Sequence, residues 1–165
     1  MTRETPEYGT RLLPVLIDEI AIATPDRVYA SIPIDDTDLS QGFKPVTYAD
    51  FAQAIDSLSF WLDATLGKAD GTFPTFAYFG PRDLGYCVVV VAAAKVGRNV
   101  LLASHLASSD AHLFLLESLD CTAVIYASEM TALAQSLEPR FPSAKYISTT
   151  SVSYTHLTLP TKRIV

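Results

Sequence analysis

Glycine and cysteine are scarce: seven and two among 165 residues, and neither is clustered. The scattered glycines form neither GxGxxG nor GxxxxGK[ST], so the common dinucleotide and triphosphate cradles are excluded. No GxSxG elbow or HExxH helix is present, which removes the usual hydrolase and zinc-protease readings. Cys87 and Cys121 have no CxxC spacing and stand among apolar neighbours. Both read as buried, reduced thiols of a cytoplasmic protein, without a disulfide or metal role. Positive charge is also in short supply. Twelve Lys and Arg against eighteen Asp and Glu leave a net charge of −6, and no basic cluster offers nucleic acid a surface. Long apolar runs are missing: the longest, Cys87–Ala94, falls far short of the ~20 residues that span a bilayer, so no membrane partner is expected. The opening MTRETPEYGT lacks the apolar stretch of a secretory signal.

What is present is a globular composition, 49% hydrophobic and 18% charged, in a length suited to one domain. Helix-like and strand-like segments alternate. Arg11–Ala23 carries Leu12, Leu13, Leu16, Ile17 and Ile20 at helical spacing, and Thr24-Pro25-Asp26 ends it. VYASI (Val28–Ile32) is a strand, and PIDDTDLSQGFKP (Pro33–Pro45) reads as a polar surface loop. Thr47-Tyr48-Ala49-Asp50 has the spacing of a helix cap. Phe51, Ile55, Leu58, Leu62 and Leu66 follow as one stripe, with Gly67 placed to end the helix. Then come a strand, TFAYF (Thr75–Phe79), and LGYCVVVVAAAKVG, whose periodicity fits helix or strand. Its length, a proline near its start and Gly97 at its end favour a buried helix. Asn99–Ala103 is a strand, Ser108-Ser109-Asp110 caps a helix bearing Leu113, Leu115, Leu116 and Leu119, and Thr122–Tyr126 is a further strand. Glu129–Leu137 is a short helix and Lys145–Ser148 a last strand. Strands separated by helix-length segments imply crossovers, hence an α/β fold with mainly parallel strands.

Candidate sites are few, and each has a plainer reading. Trp61 could be a stacking platform, but its place beside Leu58 and Leu62 favours core packing. His105 and His112 are too far apart for a helical metal pair and suit surface or capping roles. Asp35, Asp36 and Asp38 evoke a calcium loop without its glycine and distal glutamate, so a solvated loop is expected. Gly80-Pro81-Arg82-Asp83 lies where α/β folds bind anions. Its single glycine precedes a proline that has no amide hydrogen, and a plain turn is the better reading.

Two stretches resemble a family. KPVTYADFAQAIDSLSFWL (Lys44–Leu62) is similar to the first core motif of adenylate-forming (AMP-dependent synthetase/ligase) enzymes, a T-Y-x-[DE]-[LF] strand-to-helix step. FAYFGPRDLGYCVVVVAAAKVGRNVLLAS (Phe76–Ser104) is similar to the second, matching its A-x-K-x-G at Ala93–Gly97, while Ala103-Ser104 replaces the usual proline-containing end. Arg11–Pro33 and Leu115–Glu129 are similar, more narrowly, to fungal non-ribosomal-peptide-synthetase-like proteins, so the resemblance runs from about Tyr8 to Ile147. It implies the first, incomplete part of the large adenylation subdomain. The parent would use ATP and Mg to activate a small carboxylic acid and load a phosphopantetheine carrier; where a terminal reductase follows, it would also use NADPH. Both motifs are structural in that family. The ATP loop would come after Ile147, and Ser148-Thr149-Thr150-Ser151 lacks its glycine and lysine. No residue is therefore assigned a catalytic, cofactor-binding or metal-ligating role, and the chain as it stands is expected to be inactive, with no cofactor of its own.

SVSYTHLTLPTKRIV (151–165) resembles something else. VSYTHLTLPT is identical to the translation of a common sequencing adapter, and with an index of the usual length the frame closes at Val165. The expected organisation is residues 1–150 as a truncated adenylation segment and 151–165 as a non-native tail, in which His156 has no role. Two other readings stay open at this point: a stand-alone flavodoxin-like module with its ligand at a strand-order switch point, and a non-catalytic interaction domain using its acidic loops.

Overall fold

The computed structural model describes residues 9–35, 37–81, 83–104 and 106–149. The chain divides into two compact units, Met1–Gln53 and Ala54–Val165.

In the first unit, helix α1 (Leu13–Ala23) begins with proline in its first turn, where the missing amide hydrogen costs nothing. Its expected stripe is only partly buried. Ile17 is in the core, while Leu12 and Leu13 are exposed, because the helix starts two residues later than periodicity suggests. The Thr24 amide and hydroxyl both donate to the Ile20 carbonyl and close the helix. Strand β1 (Val28–Pro33) follows. The segment read as loop holds a short 3-10 turn, Leu39–Gln41, and then strand β2 (Phe43–Thr47), which pairs antiparallel with β1. Pro45 masked this strand in the sequence, yet a two-stranded ribbon tolerates proline on an edge.

Helix α2 (Tyr48–Leu66) starts in the expected capping box. The Asp50 carboxylate accepts from the Thr47 amide at 3.0 Å and its hydroxyl at 2.8 Å, while the Asp50 amide donates back to the Thr47 hydroxyl at 3.2 Å. Tyr29 of β1 stacks on Phe51 with ring centroids 3.9 Å apart.

The second unit is built on a four-stranded, all-parallel sheet in the order β4-β3-β5-β6, from β3 (Thr75–Phe79), β4 (Asn99–Leu102), β5 (Ala123–Tyr126) and β6 (Lys145–Ser148). Helices α3 (Leu84–Lys95), α4 (Ser109–Ser118) and α5 (Thr131–Leu137) make the crossovers. Alternate β3 residues serve opposite faces. Ala77 and Phe79, with Val124 of β5, pack against Leu113 and Leu116 of α4 and Leu137 of α5. Phe76 and Tyr78, both buried, point the other way, where Tyr78 meets the half-buried Tyr86 of α3 edge to face at 5.5 Å. A strand buried on both faces reads as TFAYF should: continuously apolar.

α3 settles the ambiguous segment as helix. Its cap is Asp83, whose carboxylate accepts from the Gly85 amide at 2.8 Å, so Pro81 lies outside the helix. Gly97 takes the left-handed conformation (φ 69°) that ends it. The residues after Gly97 grip the loop before β3 at both ends. Arg98, 6% exposed, donates to the carbonyls of Leu66 and Gly67 at 3.1 and 2.6 Å. Asn99 donates from its side chain to the Phe73 carbonyl and from its amide to Pro74. Lys145 Nζ reaches the Thr65 carbonyl at 3.0 Å, and Lys95 pairs with Asp56 at 2.6 Å. The carboxyl end of α2 thus receives two cations from distant parts of the chain, favourable for both its free carbonyls and its dipole.

Arg98→Met keeps the bulk but leaves the Leu66 and Gly67 carbonyls without these donors. It should cost about 2–4 kcal/mol, read from the urea midpoint of the whole chain. Lys145→Met, at an exposed hydrogen bond, should cost under about 1 kcal/mol.

Candidate functional site at the carboxyl edge of the parallel sheet

The chain leaves β3 toward β4 on one side and later returns to β5 on the other. The loops after β3 and β5 therefore diverge, and in open α/β sheets this switch point is where ligands settle. Here the Ala127 amide donates to the Phe79 carbonyl at 2.8 Å, tying the two strand ends together. Gly80 follows under the Tyr78 phenol, and a β-carbon at Gly80 would overlap Tyr78 Oη. The glycine is needed for space, not for an unusual backbone angle.

The neighbouring polar groups are engaged locally. Asp83 occupies the amino end of α3. Ser108 caps α4 by accepting from the Ala111 amide at 3.2 Å, with Asp110 in that helix's first turn. The Thr149 hydroxyl donates to the Tyr126 carbonyl at 3.2 Å. The Ser128 hydroxyl donates to adjacent Glu129, both exposed. Helix amino termini are natural anion sites, but a carboxylate stands at the start of both α3 and α4 and opposes a phosphate there. The edge fits a turn scaffold better than a triphosphate cradle.

His112 departs from its expected surface role. It is 1% exposed, at the fourth position of α4, on the face that also buries Leu113 and Leu116. Its Nε2 lies 3.0 Å from the Ser104 carbonyl and its ring stands edge-on to Phe79, centroids 5.2 Å apart. A carbonyl only accepts, so Nε2 carries a hydrogen in this contact. Among the described residues Nδ1 has no partner. The ring ties α4 to the end of β4. Proximity to Leu113 and Leu116 in the helical cycle was the available signal for its burial.

The other candidates separate. Cys87 is exposed on the outer face of α3, against expectation, because Val88, Val89, Val91, Ala92 and Ala93 take the buried side. Cys121 is buried as expected, and burial, then the charge of Asp120, pushes its thiol up to about 11. Trp61 is half-buried. Asp35 and Asp38 each accept from the amide and hydroxyl of the residue two positions on, Thr37 and Ser40. Those hydroxyls, with the amides second, hold both carboxyls below their usual range. Among the described residues no group of three or more His, Cys, Asp or Glu could hold a metal. Asp36, Arg82, His105, Thr150 and the 151–165 segment lie outside the described residues. Arg98 and Lys145 were not anticipated; an arginine directly after a helix-ending glycine was the clue to the first.

No family model matches the chain. It is 34% identical over 134 residues to a carboxylic acid reductase of Neurospora crassa, covering 81% of this chain and 13% of that protein. It is 33% identical over 124 residues to an isocyanide synthase–NRPS hybrid, crmA, of Aspergillus fumigatus, covering 75% of this chain and 8% of that protein. The fold matches the N-terminal domain of Mycobacterium tuberculosis FACL13 with a TM-score of 0.69 at 17% identity, over 92% of this chain and 37% of that one. The chain thus resembles a small part of each of these two fungal proteins in sequence, and shares its fold with the FACL13 N-terminal domain. The N-terminal subdomain of Klebsiella oxytoca NpsA, solved with 3-hydroxybenzoyl-AMSN, shares the fold as well, with a TM-score of 0.63 at 16% identity over 93% of this chain and 33% of that one. These comparisons favour a segment of an adenylate-forming enzyme over a stand-alone flavodoxin-like module. In this light the two motifs shared with adenylate-forming enzymes have visible physical roles. Thr47 and Asp50 of the first cap α2, and Lys95 of the second ties α3 to α2 through Asp56.

Two outcomes follow for the carboxyl edge and the thiols. Gly80→Ala should lower stability by roughly 1–3 kcal/mol in urea titration, through displacement of Tyr78. A neutral thiol reagent should label one cysteine per native chain, Cys87, and a second only in denaturant. At high pH, burial, then Glu138, also holds the Tyr146 phenol up to about 12. Cys121 and Tyr146 both have raised values, so their contribution to stability is complete below about pH 9 and is lost as pH rises through 11 to 12. Urea midpoints should therefore fall on the alkaline side, and less so in Cys121→Ala measured against its own neutral value.

Proposed function

We propose that residues 1–150 are the N-terminal segment of an adenylation domain in a fungal NRPS-like protein of secondary metabolism. The parent, cytoplasmic in this reading, activates a small carboxylic acid with Mg-ATP to an acyl-adenylate and passes the acyl group to a phosphopantetheine carrier. A terminal reductase using NADPH would follow in a reductase-type parent. The identity to the N. crassa carboxylic acid reductase across 81% of this chain carries the proposal. The NpsA subdomain bound to 3-hydroxybenzoyl-AMSN supports the acyl-adenylate chemistry. The chain spans only 13% and 8% of the two curated relatives, so its own part is a scaffold: a sheet, its crossovers and the clamped α2.

The carboxyl edge argues that ATP is held elsewhere in the parent. Asp83 and Asp110 stand at the two helix starts that could have taken phosphate, and the Thr149 hydroxyl is turned back on Tyr126. ATP–pyrophosphate exchange by the chain as given should stay at background with any carboxylic acid, while the chain extended with its genomic sequence should exchange. Exchange by residues 1–150 alone would overturn the scaffold reading, and a silent extended protein would overturn the adenylation reading. We further propose that 151–165 derives from a sequencing adapter. Re-amplification from source DNA should read a different sequence after codon 150; recovery of SVSYTHLTLPTKRIV would refute this.

A further inference from the structure

We draw no further inference here: the strongest candidate, the buried His112 ring between the carboxyl ends of β3 and β4 with Nδ1 unpartnered among the described residues, carries nothing because no second observation among those residues points to a ligand for that nitrogen.

Discussion

A single buried guanidinium organises much of the second unit. Arg98 is almost wholly removed from water, an expensive position for a charge unless strong acceptors meet it. The acceptors are the last carbonyls of α2 and of the glycine after it, which carry the negative end of the helix dipole. The residue that follows Arg98 is the first of β4, so one contact sets where a 19-residue helix ends relative to the edge strand of the sheet. Lys145 at the start of β6 repeats the arrangement from the opposite edge of the sheet, and Lys95 supports it from α3. Three cations separated along the sequence converge on one helix.

This convergence gives Lys95 a structural use, tying α3 to α2. Lys95 spends its charge on Asp56, and its side chain is largely covered. The polar groups at the other end of the sheet are similarly turned inward, onto helix amides and strand carbonyls. These polar side chains join elements to one another.

The elements themselves were readable. TFAYF and KYIS have the observed bounds because each is a short β-rich run between clear breakers. The Thr47–Asp50 box and Gly67 mark both ends of α2, and the alternation of types implied the parallel sheet. β2 was hidden by a loop-like composition around Gly42 and Pro45, since a ribbon strand needs only cross-strand partners that local patterns do not reveal. Cys87 and His112 were exchanged between surface and core for a similar reason. Each sits in an amphipathic turn whose orientation depends on which strand it crosses. The burial of Arg98 was missed despite its place after Gly97, because composition alone treats arginine as a surface residue and its acceptors lie more than thirty positions earlier.

The central place of β3 also has a kinetic side. Both of its neighbours pair parallel to it, so neither can zip up through a local hairpin. As the polypeptide leaves the ribosome, β3 must wait for α3 before β4 can join it, and for α4 as well before β5 can cover its other edge. During that interval an apolar strand is exposed with both hydrogen-bonding edges free, the condition under which nascent chains aggregate or recruit chaperones. The order that makes the sheet compact when finished makes it vulnerable while it is being made.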